Sequence, residues 1–165
     1  MAPPLLARFA LDAQESFLDA AEAVPPEFHE RAPAGLNPGS WIVTHAAAPH
    51  QLWIGAYVGG FDRDPWFDAW QHDRTQWPSF AEGTDALRRV FEQATGILNA
   101  LADADLRSPG KMLETSRFSG WTVGQLIARA IAHLYSHAAD LGTLAALAGG
   151  DVGIPGFMPH TRMAP

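Results

Sequence analysis

The chain has 165 residues, 47 % apolar and 18 % charged, a composition that supports one globular domain spanning 1–165. Its formal charge is −7 and it has no cysteine, so disulfides, thiolate metal sites and cysteine nucleophiles are excluded. The same acidic balance argues against a nucleic-acid or anionic-membrane surface. Lys111 is the only lysine, against ten arginines, and no P-loop is present. The N-terminal stretch has no basic segment followed by an apolar one, so no signal peptide is expected. Apolar runs are broken by His, Pro or Gly before membrane-spanning length. A soluble, cytoplasmic protein is the expectation.

Four stretches have helical periodicity. The first runs from about Pro4 to Val24, with Leu5, Leu6, Phe9, Ala13 and Phe17 recurring at threes and fours, and Pro25-Pro26 stops it. The second opens near Asn37-Pro38, read as an N-cap followed by Pro at the first helical position, and ends towards Gly59-Gly60. Pro49 lies inside it and cannot donate to the carbonyl of His45, which predicts a kink. An aromatic and acidic segment follows, with Asp62, Asp64, Trp66, Asp68, Trp70, Asp73 and Trp77; it reads as a short helix plus loop. Its tryptophans are candidates to wall a pocket or to meet a dimer partner, and its acidic residues read as a solvated face. The third long helix opens with the capping-box pattern Ser79–Glu82 and runs to about Asp103. The fourth opens with a second such pattern, Thr122–Gln125, and stops at Gly149-Gly150. No run alternates with period two. The predicted fold is all-α, a four-helix bundle, with topology left open by two long connections, after the first and second helices.

Seven histidines are present, and the pair in HLYSH, His133 and His137, is the sharpest signal. A spacing of four puts two side chains on one helical face, about 40° apart round the axis. Two such imidazoles can converge on one metal ion if another helix supplies the third ligand. His45 is the candidate, because it lies on the inward stripe Ile42–His45–Ala48. Three histidine ligands leave coordination positions open, the pattern of a catalytic rather than a structural site. The competing reading is a chance HxxxH pair in an Ala/Leu-rich helix. Against it, three inward histidines are costly to bury without a partner. His50 lies five positions after His45, about 140° round an ideal helix, and is expected to face elsewhere unless the Pro49 kink redirects it. Asp140 lies at i+3 from His137, where a carboxylate can accept the free imidazole N–H; a solvated or capping carboxylate is the alternative. His29, His72 and His160 fall in loops and read as surface residues.

SWIVTHAAAPHQLWIGAYVGG and HLYSHAADLGTLAALAGGDVGIPGF together resemble the DinB/YfiT-like proteins, a large group of bacterial metalloenzymes. The similarity covers nearly the whole length. The second segment is similar to that family's HxxxHxGQ helix, with Ala139 and Asp140 standing at the GQ positions. The resemblance implies a bundle with one long crossover connection, metal ligands at His45, His133 and His137, and commonly a homodimer; near the position of His50 the family often has a carboxylate that assists the site. A divalent metal and a small-molecule substrate are expected; zinc or nickel is the first choice, although imidazole suits iron and copper as well. Some relatives use a metal-bound low-molecular-weight thiol; with no cysteine here, the thiol would come from a cofactor such as mycothiol. A metal-dependent S-transferase, isomerase or hydrolase is therefore expected, with His50 and Asp140 as candidate catalytic residues. The alternative is a non-enzymatic metal- or ligand-binding bundle related to stress.

Overall fold

A computed structural model describes residues 2–71, 76–112 and 116–149. His72, Asp73, Gly150 and His160, named above, lie outside the described residues, as does the C-terminal tail. Five α-helices are present among the described residues: α1 (Leu5–Glu22), α2 (Gly39–His50), α3 (Trp66–Gln71), α4 (Phe80–Ala100) and α5 (Val123–Leu147). No strand occurs among those residues; Pro109 and Thr122 form an isolated bridge beside the start of α5.

Local chemistry sets the boundaries. Ser79 Oγ accepts from the Glu82 backbone N–H, and the Glu82 carboxylate accepts from the Ser79 N–H, so both partners of the predicted box are engaged. Thr122 and Gln125 make the same reciprocal pair. These bonds satisfy donors that a helix start leaves without a partner. At α2 the start differs from expectation by one residue. Pro38 itself occupies the cap position, in extended conformation, and Gly39 is the first helical residue. At the C-terminus of α5 Gly149 takes a left-handed φ of 78°, a conformation that stops a helix at low steric cost to glycine.

At Pro49, where the sequence predicts a kink, the helix changes its hydrogen-bond register. α2 passes through Pro49 to His50 and continues as a π-helix over Gln51–Gly59. Proline removes one donor from the ladder, and a wider turn with longer-range hydrogen bonds accommodates the mismatch.

The four long elements form a bundle. α1 packs on α5 and α4, while α2 and its π-helical extension also pack on α4 and α5. α1 and α2 therefore stand diagonally opposite. One core cluster holds Phe17, Ile42, Leu87, Phe91, Leu134 and Leu141; the other holds Ala7, Trp53, Ile54, Leu98, Leu126 and Ile127. The first half of α1 and of α5 thus shares an end with the last part of α2 and α4. α1 and α5 run one way, and α2 and α4 run the other. Because α2 and α4 are parallel neighbours, the chain between Gly60 and Ser79 must return the length of the bundle, and it is the long crossover. Phe67 on α3 is buried in the first cluster.

Close helix approach has a specific cause. A Cβ at Gly83 of α4 would lie 2.6 Å from Thr44 Oγ1 and 2.8 Å from Val43 Cγ2 of α2. Hydrogen in place of a side chain lets these backbones come together. The three inward residues between the two clusters, His45, His133 and His137, then fall in the seam between α2 and α5.

Candidate metal centre

His45 projects from α2 and His133 and His137 from successive turns of α5. One nitrogen of each ring lies within 4.8 Å of one nitrogen of each other ring. Ring centroids are 5.2 Å apart for His45 and His133, 4.9 Å for His45 and His137, and 4.5 Å for the α5 pair. The Nε2 atoms of His45 and His133 are 3.3 Å apart. At that distance either one ring donates to the other, or both lone pairs face a common cation. A tetrahedral ion with N–metal bonds of about 2.0–2.1 Å needs nitrogens about 3.3 Å apart, so the spacing fits the donor set.

The electrostatics favour neutral rings. The His45 pKa is lowered to about 4, chiefly by burial and then by His137, with Asp140 opposing. That of His133 is lowered to about 3, by burial first and then by proximity to His137, His45, Arg129 and His50. Both rings therefore keep a free lone pair at neutral pH, the state a metal requires.

Asp140 Oδ2 lies 2.8 Å from His137 Nδ1. With Nδ1–H donating to this carboxylate, Nε2 of His137 presents its lone pair to the other two rings. Trp41 lies one turn before His45 on α2. Its ring stacks on His45 at 4.4 Å and 10°, and its edge meets His137 at 6.0 Å. The i, i+4 spacing of Trp41 and His45 carried that signal, since it puts both side chains on one helical face.

His50 is not part of this convergence. It is 1 % exposed, points into the bundle between α1 and α4, and lies 5.0 Å from the Phe91 ring. Its Nε2 is 2.9 Å from Gln14 Nε2, and Thr95 Oγ1 donates to Gln14 Oε1 at 3.2 Å. Burial pushes the His50 pKa down to about 3. This three-residue polar network spans three helices and was not legible in the sequence. His29, expected on the surface, is half-buried: it stacks on Phe80 at 3.9 Å and its Nε2 reaches Val24 O at 3.0 Å.

Beside His45 opens a cleft of about 560 Å³, walled by Trp41, Phe67, Trp70 and Trp77. Two of the crossover tryptophans thus wall a pocket, one of the two roles expected for them. The acidic residues nearby are partly engaged: Asp64 accepts from the Trp66 N–H, and Asp68 pairs with Arg63.

A helical bundle with a three-histidine cluster in one seam defines the class. The chain belongs to the DinB superfamily, whose family model matches residues 11–141. Searches of curated proteins and of solved structures gave no match. Among the described residues, no helix is long and apolar enough to cross a membrane.

Proposed function

We propose that the protein is a metal-dependent enzyme in which His45, His133 and His137 hold one divalent ion, zinc or nickel. The observation that carries this reading is the mutual approach of three imidazole nitrogens from two helices, within 4.8 Å, at a half-buried seam. A bound divalent ion supplies Lewis acidity, lowering the pKa of a coordinated water or thiol. The protein's own residues do the rest. Asp140 fixes the tautomer and orientation of His137 through the 2.8 Å contact. Trp41, flat on His45, fixes that ring and keeps water from one side of it. The cleft next to His45 receives a small-molecule substrate.

The reaction is thiol transfer, thiol-dependent isomerisation or hydrolysis. Because the sequence contains no cysteine, a thiol would be delivered by a low-molecular-weight cofactor such as mycothiol. His50 is sealed from the seam, so its contribution to the site is through the packing of α2, while Asp140 acts as a positioning residue. The subunits assemble as a homodimer, which is the arrangement the family resemblance implies.

The test compares chelator-treated protein with protein reconstituted with zinc or nickel, assayed with a panel of thiols and electrophiles and, separately, with hydrolysable esters. Metal-dependent turnover that His133→Ala abolishes supports the reading. Equal rates with and without metal would overturn it.

A further inference from the structure

The cleft beside His45 has a chemical bias that the metal site alone does not explain. Its walls are aromatic: Trp41, Phe67, Trp70 and Trp77. Indole and phenyl faces at this density favour a flat, unsaturated body. Its lining includes buried polar atoms without a partner. Trp70 Nε1 is a buried donor with no partner among the described residues, and Thr44 Oγ1, on a residue 2 % exposed, also has none. A buried polar atom without a partner costs free energy, and a ligand that supplies the partner recovers it.

Arg117 completes the lining. Its guanidinium is exposed and sits 4.9 Å from the Phe118 ring centroid, a stacking that holds it in place without neutralising it. Among the described residues no carboxylate pairs with it, and no Asp or Glu lines the cleft. Among the described residues, the cleft thus offers one guanidinium without a carboxylate partner and no acidic lining, which favours a negatively charged ligand.

We propose that this cleft binds a small aromatic carboxylate, its ring held among Trp41, Trp70 and Trp77, its carboxylate on Arg117, and its opposite end turned towards His45. The assignment of a reacting end rests on the proposed metal site; the binding itself does not. The Trp70 N–H supplies a hydrogen bond to an acceptor substituent on the ring. Arg117 gives the charge-assisted contact that separates a carboxylate from a neutral isostere.

The experiment uses the full chain, stripped of metal by chelation so that a failure to hold metal and a failure to hold ligand are separate results. Calorimetric titration compares 1-naphthylacetate with 1-naphthylacetamide, which share a ring system and nearly share a shape. The expected result is one carboxylate bound per chain, at least about tenfold more tightly than the amide, the ratio that one hydrogen bond to a charged group provides. In Arg117→Gln the carboxylate falls to the affinity of the amide, while the amide is unaffected. In Trp70→Ala both ligands weaken together. Arg117 is exposed, so its replacement leaves the fold intact and circular dichroism verifies this. Equal affinity for the two probes, binding of neither, or a carboxylate preference that survives Arg117→Gln would overturn the proposal.

Discussion

His45 and His50 lie five residues apart on one helix and do opposite things. His45 opens onto the α2–α5 seam, where the ring meets two other imidazoles. His45→Ala removes one ligand of three and leaves the α5 pair in place. Tight zinc binding is expected to be lost while the helical circular dichroism is retained, because Ala is the best helix former and the buried imidazole it replaces is costly. Zinc titration with a competing chromophoric chelator checks this. His50, by contrast, is held neutral inside the bundle. Its pKa falls from the ordinary 6.5 to about 3 on folding. Between those values the unfolded chain binds a proton that the folded chain refuses. Stability is unaffected by His50 above about pH 6.5, falls as the pH drops through that window, and levels off near pH 3. The slope from this one group is about 1.4 kcal/mol per pH unit. Urea unfolding of metal-free protein at pH 7, 6 and 5 is expected to show a flatter pH dependence in His50→Leu than in the parent chain. Equal slopes would show that His50 is not the group responsible.

At the scale of elements, local chemistry was readable and register was not. The capping boxes at Ser79–Glu82 and Thr122–Gln125 follow from residue types three apart, and both form. Thr122→Ala is expected to cost about 1 kcal/mol in a thermal or urea melt, since an N-terminal donor loses its partner. The π-helix over Gln51–Gly59 was not legible. Pro49 marks where the hydrogen-bond ladder is interrupted, but how the ladder resumes depends on what packs against the next two turns. The Gln14–His50–Thr95 network was hidden for the same reason: three helices supply one residue each, at sequence separations of 36 and 81. The histidine cluster was accessible because two members share a face of α5 and the third lies on the inward stripe of α2. Its cleft was only partly accessible, since Arg117 sits in an irregular connection and Trp70 on a helix too short to show a period. Close approach of α2 to α4 has its own test. Gly83→Val puts carbon where Thr44 and Val43 already stand, 2.6 and 2.8 Å away. A loss of about 1–3 kcal/mol is expected, with weaker cleft binding because Thr44 is displaced.

For the whole molecule, the core decides what metal removal does. Phe17, Ile42, Leu87, Leu126, Ile127, Leu134 and Leu141 are fully buried without reference to any ion. Each large aliphatic or aromatic side chain contributes roughly 1.5–3 kcal/mol by leaving water, so the fold does not depend on a metal staple. Chelation at room temperature is expected to leave the helical signal unchanged and to lower the melting temperature modestly, by loss of a ligand that binds the folded state. The proposed homodimer predicts a light-scattering mass of twice 17.8 kDa at micromolar concentration; a mass of 17.8 kDa would remove it. The central claim, that three histidines from two helices hold one ion, is tested most directly by X-ray absorption at the metal edge of tag-free protein loaded with zinc to equivalence. The account predicts one zinc per chain with imidazole back-scattering from three ligands at about 2.0–2.1 Å. A zinc shell made only of oxygen, or a stoichiometry and spectrum unchanged in His133→Ala, would contradict it.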